Sequence, residues 1–586
     1  MNIASPHLFS IQWRVYYLIV EYFKFIIMNT DPNLIEIFCA NNKQKKYYPL
    51  GTNLLDIYND IKPDLKYKVI VAKVNNVTKD LKFKLFKPKK IEFISADQPA
   101  GMRAYVRSLS FIFCNAVNKL YPNVKVRIEH PIAKGYYCKL LNNNQPIDQK
   151  MVDNIKKEMQ RIVDADIQFN MANVATEEAI DIFTKQGSPE TVTLLKSKGF
   201  LYTRIYELDG RHDWFLAPLA PSTGYITLFD LKIYHDGIYL QIPNRKNPTE
   251  LETFIPQDKL FSTFSEHSEW NGIMGFSGNV GEMNNVVTNK EYASAMIKIA
   301  ESLQAKKIVK IADEITNRGK IKMVLIAGPS SSGKTTFSKR LSVELAVNGY
   351  IPVALSMDDY FHPRTLTPRD ENGDFDFESI YSVDLDFFNK DMNTLLEGGE
   401  IDLPHYNFEK GEREFLGKKL KLTDRSILII EGIHALNPML TSKVPEETIF
   451  RVYISALTTI SFDNHNWIPT RDNRLLRRII RDYNYRGYSA EETISRWDKV
   501  MEGEEKWIFP YQENADMVFN SALIFEICVL KKFAEPILSV VPESSPEYHE
   551  VHRLLNFLRY FSIVPEVEIP LNSLLREFLG GGTFKY

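Results

Sequence analysis

The chain has 586 residues, 44% of them apolar and 25% charged, with a formal net charge of −2. That length exceeds one hydrophobic core and suggests roughly three or four units. The near-neutral balance excludes a chain-wide electrostatic footprint for nucleic acid, so any RNA contact needs a local basic patch. Cys39, Cys114, Cys138 and Cys528 stand far apart with no CxxC pair, which speaks against a disulfide framework or structural zinc and for a reducing, cytoplasmic setting.

Residues 1–30 form an N-terminal extension. Its stretch from Ile11 to Ile27 is apolar and aromatic but broken by Arg14, Glu21 and Lys24. It is too interrupted for a bilayer span of about 20 residues, and no small-residue cleavage site follows it. Two readings stay open: an amphipathic helix docked on the body, or a segment outside the mature chain with initiation at Met28. Residues 31–95 read as a small β-rich unit. Leu34 to Cys39 is a strand, Asn41 to Lys46 a polar turn, Leu54, Leu55 and Ile57 mark a helix, and Val69 to Ala72 is another strand. With Tyr47-Tyr48-Pro49-Leu50-Gly51-Thr52 between strand and helix, the unit resembles a TGS domain; any β-grasp module is the competing reading.

Residues 96–280 are mixed α+β, with a helix over Arg103 to Leu120, a turn and strand over Pro131 to Tyr137, and a loop over Asp213 to Gly224. These segments resemble the second additional domain of threonyl-tRNA synthetases, which carries a metal-dependent editing site on HxxxH and a later Cys and His. The four positions are Gly101, Tyr105, Phe215 and Leu219 here, and none of them binds zinc. The resemblance therefore implies the fold without the hydrolysis. Scaffolding or assembly is the first expectation for this region. An RNA contact through the TGS-like unit and a homo-oligomer are the expected macromolecular partners; no membrane is.

Residues 281–320 read as a helical linker, with Ile297, Leu303, Ile308, Ile311 and Ile315 at spacings that suit packed helices. From residue 321 to 545 strands alternate with helices, which predicts a parallel sheet with helices on both faces. The expected fold class is therefore multidomain α/β: a β-grasp unit, an α+β unit and a C-terminal nucleotide-binding sheet. Residues 546–586 form a tail whose Gly580-Gly581-Gly582 marks a flexible closing segment or a frayed end.

The strongest motif is Gly328-Pro329-Ser330-Ser331-Ser332-Gly333-Lys334-Thr335, the GxxxxGK[ST] pattern of a P-loop. Met323 to Ala327 before it is a buried-strand run, and Phe337 to Leu341 after it is helical. Backbone N–H groups of Gly328, Ser330, Ser331, Ser332 and Gly333, with Lys334, Thr335 and Thr336 at the helix start, are the candidate phosphate ligands. Lys334 reaches the β and γ phosphates and Thr335 offers a hydroxyl to Mg²⁺. ATP and Mg²⁺ are the expected cofactors.

Two carboxylates follow at strand ends. Pro352 to Ser356 leads into Asp358, where a carboxylate accepts the proton of an attacking hydroxyl; Ser426 to Ile430 leads into Glu431, the Walker B position for Mg²⁺. A turn carboxylate and a solvated strand-end Glu are the bland alternatives. Arg474, Arg477, Arg478 and Arg481 recur at spacings of three and four, which sets several along one helical face. A lid that closes Arg474, Arg477 and Arg481 over the phosphates is expected, against a merely solvated basic face.

In this order the motifs resemble the uridine kinase family, within the wider uridine kinase and phosphoribulokinase group, over about Ile321 to Ser521. The resemblance implies Asp358 as general base toward a ribose 5′-hydroxyl, with Lys334 and Arg474 assisting catalysis and Glu431 as a Mg²⁺ ligand. Phe375 to Ser379 resembles the ribose-binding stretch, with Phe377 and with Glu378 where an Asp is usual; Pro404 to Phe408 resembles the base-binding segment, with Tyr406 and Phe408 as walls. The family histidine after that segment is replaced by Gly411, and the usual Gln beyond the lid helix by Arg496. Arg474 and Arg496 complete the expected acceptor contacts. A nucleoside, uridine or cytidine, is the expected substrate. Alternatives are another small acceptor, such as those of phosphoribulokinase-like or pantothenate-type enzymes, or an RNA- or ribosome-associated NTPase switch, for which the chain has no NKxD motif.

Overall fold

The computed structural model describes residues 32–273, 276–370 and 373–585; both readings of residues 1–30 lie outside the described residues. The first unit is a sheet of β1 (Leu34–Cys39), β2 (Gln44–Pro49), β3 (Val69–Val74), β4 (Val77–Lys79) and β5 (Lys89–Ser95) in the order β2-β1-β5-β3-β4. β1 and β5 are parallel and the other neighbours antiparallel. Alternation along β1 sends Ile35 and Ile37 inward, where Leu54 and Ile57 of the helix Leu54–Ile61 meet them. Asn53 starts that helix by accepting from the backbone N–H of Asp56. This is the β-grasp arrangement. Residues 32–95 also hold thirteen lysines against six acidic residues, a formal +7 within a chain of −2.

The second unit is built on the helix Pro99–Leu120, whose length is buried almost throughout. A sheet of β6 (Lys125–Ile132), β7 (Gly135–Leu141), β11 (Asp230–Tyr234) and β12 (Gly237–Gln241) packs against it in the order β11-β12-β7-β6. A second sheet, β10-β9-β8, comprises β8 (Asn170–Ala175), β9 (Tyr202–Leu208) and β10 (Arg211–Asp213). The four positions where an editing site would bind metal are packing positions here. A Cβ on Gly101 would stand 2.0 Å from the Ser95 carbonyl oxygen, Tyr105 donates its hydroxyl to the Leu228 carbonyl at 2.9 Å, and Phe215 and Leu219 sit in the core.

The third unit is a parallel sheet of β13 (Met323–Ala327), β14 (Ile351–Ser356), β17 (Ser426–Glu431), β18 (Ile449–Ser455) and β19 (Met517–Asn520), in the order β14-β17-β13-β18-β19. β13 and β17 are apolar along nearly their whole length because both faces are covered. An antiparallel hairpin, β15 (Glu400–Asn407) and β16 (Glu412–Lys421), stands apart from the sheet.

Residues 281–320 do not form a linker. In the helix Lys290–Arg318, Ile297 and Ala300 pack with Leu475 and Ile527, while Ile308, Ile311 and Ile315 cover the sheet beside Val324 and Phe450. The tail is not frayed either. Its helix Tyr548–Leu558 is clamped by ions: Arg553 pairs with Asp472 at 2.6 Å and with Glu550 at 2.6 Å, and Glu550 pairs with Arg103 at 3.1 Å. Leu574, Leu575 and Phe578 are fully buried. Apolar burial far from the local sequence fixes both segments, which is why their composition alone misleads. The loop between β18 and the helix Thr470–Arg486 inserts into the second unit, where His465 meets Asp213 at 2.6 Å, Asp463 accepts from Thr191 at 3.1 Å and Trp467 packs at a tilt against Tyr136 with ring centroids 4.4 Å apart. All four cysteines are free and buried. Among the described residues no helix is long and apolar enough to cross a membrane.

Candidate active site

The loop after β13 is shaped by exclusion. A Cβ on Gly328 would stand 2.1 Å from the Ile454 carbonyl oxygen, so only glycine fits against β18. Gly333 adopts φ +87° and starts the helix Lys334–Val347. Lys334 curls back and donates to the carbonyls of Gly328 at 2.8 Å and Pro329 at 3.3 Å. Burial lowers its pKa against the pull of Glu431, Glu577 and Glu504.

Parallel pairing sets the carboxylates beside this loop. Ser356 of β14 is in register with Glu431 of β17, and Ile326 of β13 with the same Glu431. Asp358 therefore lies two residues past the β14 end, in the crevice at the carboxyl edge of the sheet. Asp358 reaches solvent, yet the crowding protein raises its carboxyl pKa; Lys334 opposes that shift and Asp359 adds to it. Burial likewise raises Glu431, again opposed by Lys334. Thr335 donates its hydroxyl to Glu431 at 3.1 Å.

The residues fit a magnesium nucleotide. The second oxygen of Glu431 and the hydroxyls of Ser331 and Ser332 are buried with no hydrogen-bond partner. Such orphaned groups are costly unless a ligand meets them. Among the described residues no cluster of three or more His, Cys, Asp or Glu is arranged to hold a metal, so Thr335 and Glu431 would bind a cation together with phosphate oxygens.

The arginine helix, Thr470–Arg486, requires a correction. Arg474 and Arg477 do not form a lid over the loop. Arg474 is 2% exposed and grips Glu504 through two nitrogens at 2.6 and 2.7 Å; Arg477 is 0% exposed and grips Glu526 at 2.6 and 2.8 Å. From beneath, they donate to the carbonyls of Ser330 at 3.2 Å and Ser331 at 3.3 Å. Arg478 is the one that touches the loop, while the charges of Arg481 and Arg486 are felt at Lys334 and Asp358. Arg478 donates to the Ser330 hydroxyl at 2.8 Å, and all three share one carboxylate, Asp482. Burial and mutual repulsion depress the pKa values of Arg478 and Arg486. Three cations on one anion form an electropositive wall suited to phosphates.

Two further carboxylates, which sequence reasoning did not assign, touch the loop. Glu504 accepts the Ser330 backbone N–H at 2.8 Å. Glu577, from the tail, accepts the Thr336 backbone N–H at 3.1 Å and its hydroxyl at 2.7 Å, while Leu574 packs against Gly333. No local signal marks Glu504 or Glu577, because each acts on groups more than 150 residues away in sequence. Arg486 had one signal, its i,i+4 spacing from Asp482.

On the acceptor side, Phe361 gathers an aromatic cluster: ring centroids lie 5.7 Å from Tyr406, 6.4 Å from Phe408 and 6.4 Å from Phe377. Glu378 has its pKa raised to about 7, first by burial and then by Glu504, with Arg478 and Lys334 opposing. Arg496 is exposed and lies over the Tyr488 ring at 4.4 Å. Among the described residues its guanidinium packs on Tyr488, just past the end of the arginine helix, and not on the acceptor aromatics.

A parallel five-stranded sheet, a phosphate loop after β13, and carboxylates at the end of β17 and just past β14 form a P-loop site suited to phosphoryl transfer. Residues 323–525 match the model of the Phosphoribulokinase / Uridine kinase family, and this unit is similar to the P-loop kinase domains of that family. The chain is 25% identical over 197 residues to uridine kinase of Ureaplasma urealyticum serovar 10, covering 33% of this chain and 86% of that protein. It is 28% identical over 180 residues to threonine–tRNA ligase of Desulforamulus reducens, covering 30% of this chain and 28% of that protein. The chain thus spans under a third of the ligase and most of the kinase. A solved structure of a possible uridine kinase from Bacillus stearothermophilus aligns at 20% identity and a TM-score of 0.24, over 34% of this chain and 89% of that one.

Proposed function

We propose that this protein transfers the γ-phosphoryl group of ATP to the 5′-hydroxyl of a pyrimidine nucleoside, with uridine as the leading acceptor. The observation that carries this reading is the meeting of Asp358, Glu431 and Lys334 at one sheet edge, beside the Phe361–Tyr406–Phe408 cluster. Bound Mg-ATP supplies the electrophilic phosphorus. Asp358 orients the acceptor hydroxyl and takes its proton. Lys334, Arg478, Arg481 and Arg486 neutralise charge on the phosphates, Thr335 and Glu431 would hold Mg²⁺, and the exposed Phe408 ring offers a face to a flat base, with Tyr406 and Phe361 buried behind it. Initial rates from ATP to uridine, cytidine, other nucleosides, ribulose 5-phosphate and pantothenate test the reading. Rapid UMP formation supports it; transfer only to a non-nucleoside acceptor replaces it with the wider family activity.

Glu577 bears on the same site. It occupies N–H and O–H donors on Thr336 that an α-phosphate would also use. Glu577→Gln removes the competing charge and is expected to tighten ATP binding about tenfold, read by calorimetric titration. Unchanged affinity would mean the carboxylate moves aside without cost.

The +7 charge of residues 32–95 favours a second reading for the N-terminal unit, an RNA contact. Retention of RNA by the full chain at low salt, lost steeply as salt rises, would support it. No retention at low salt would remove it.

A further inference from the structure

Gly411 stands where uridine kinases carry a base-contacting histidine, and its surroundings explain why no side chain is there. Gly411 has φ +72°, and a Cβ on it would stand 2.8 Å from Arg364 Nε and 2.9 Å from Arg364 Cβ and Cζ. The space beside the acceptor segment is filled from another element by Arg364. This arginine is tied down at both ends. Its backbone N–H donates to the Gly411 carbonyl at 2.8 Å, and its Nη2 donates to the Phe408 carbonyl at 2.5 Å. That is one side-chain bond for a group with five N–H donors. Burial raises the pKa of the Tyr406 hydroxyl, and the charges of Arg364 and Arg413 oppose that rise. The Tyr406 side chain is 2% exposed and its buried hydroxyl has no hydrogen-bond partner. A cation with spare donors is thus anchored on the acceptor segment between Phe408 and Gly411, beside the Phe361–Tyr406–Phe408 cluster.

We propose that Arg364 is the selectivity residue of the acceptor site, and that it requires a hydrogen-bond-accepting oxygen at the 4-position of a pyrimidine ring. This rests on the nucleoside kinase reading above. A neutral histidine both donates and accepts, according to its tautomer, so it serves a ring carbonyl and a ring amine alike; a guanidinium only donates. Opposite Arg364 a uracil carbonyl is paired. A cytosine amine would set donor against donor and leave buried groups unmatched, which sites of this kind reject strongly. The aromatic cluster selects a flat ring over an open-chain sugar phosphate, whose anionic oxygen is the other group that could meet Arg364.

The test is steady-state kinetics on the full chain with uridine, cytidine and ribulose 5-phosphate, for the wild type, Arg364→Ala and Arg364→His. The wild type is expected to favour uridine over cytidine by about 100-fold in kcat/KM. Arg364→Ala should raise the uridine KM about tenfold with little change in kcat, leave cytidine unchanged and so compress the ratio. Arg364→His should accept both bases and confirms that the site still folds. Equal use of uridine and cytidine by the wild type overturns the role of Arg364 while leaving the kinase reading intact, and so does an unchanged ratio in both variants. Transfer to ribulose 5-phosphate with none to either nucleoside overturns both.

Discussion

Replacing Asp358 with Asn is expected to lower phosphoryl transfer by about 10²–10⁴-fold while ATP still binds. The substitution keeps the shape and the hydrogen-bonding reach of the side chain and removes only the ability to take a proton. Asp358 lies past the end of β14, one strand removed from the loop strand, with Lys334 close enough to pull its pKa down and Asp359 close enough to push it up. Crowding wins, and the carboxyl titrates above the usual aspartate value. A base shifted upward toward the working pH transfers protons more effectively than an ordinary aspartate. Its polar neighbours are held without it: Tyr406 N–H bonds to Asp359 rather than to Asp358, so the acceptor segment stays in place in the variant. Single-turnover transfer and nucleotide titration on the same preparation separate the two effects. Loss of ATP binding in parallel with turnover would assign Asp358 to the phosphate site instead, and unchanged turnover would remove it from the chemistry.

The parts of this site that could be read from sequence are those whose partners are local. The glycine loop, the apolar strand before it and the helix after it are contiguous, so backbone chemistry dictates them together. Asp358 and Glu431 were also legible, because a carboxylate that ends an apolar strand must emerge at the sheet edge. The arginines were not. On a helix, Arg474, Arg477, Arg478 and Arg481 fall within one broad face, and nothing in that spacing tells which of them point at ligand. The partners that decide it, Glu504 and Glu526, come 30 and 49 residues later on two other elements. The tail was misread for the same reason. Gly580-Gly581-Gly582 is locally permissive, but Leu574 and Phe578 just before it are fully buried, and Glu577 between them reaches Thr336 across 241 residues of chain. In the second unit, sequence shows that Gly101, Tyr105, Phe215 and Leu219 lack metal-ligand chemistry, while packing shows what they do instead: Tyr105 bonds to the Leu228 carbonyl and Phe215 lies in the core.

The correction to the arginine helix leads to the second large effect. Arg477→Ala is expected to destabilise the kinase unit by about 3–5 kcal/mol, lowering its melting temperature by about 10 °C. Arg477 and Glu526 are both essentially unexposed and joined by two short bonds at 2.6 and 2.8 Å. Each ion alone in that interior would lack its counter-charge, and removing one partner leaves the other buried and unpaired. Arg477 also fastens the Ser521 carbonyl at 3.0 Å and the Ser331 carbonyl at 3.3 Å, so the loop after β19 and the phosphate loop would loosen together. An apolar pair of similar volume should restore much of the loss: Arg477→Met with Glu526→Leu removes both charges at once and keeps the packing against Phe578. Thermal unfolding of the two variants beside the wild type distinguishes this account from a lid. A lid arginine would cost turnover and leave melting unchanged, and the double variant would then be no more stable than the single one. A buried clamp gives the opposite order, with the single variant least stable and the double variant partly recovered.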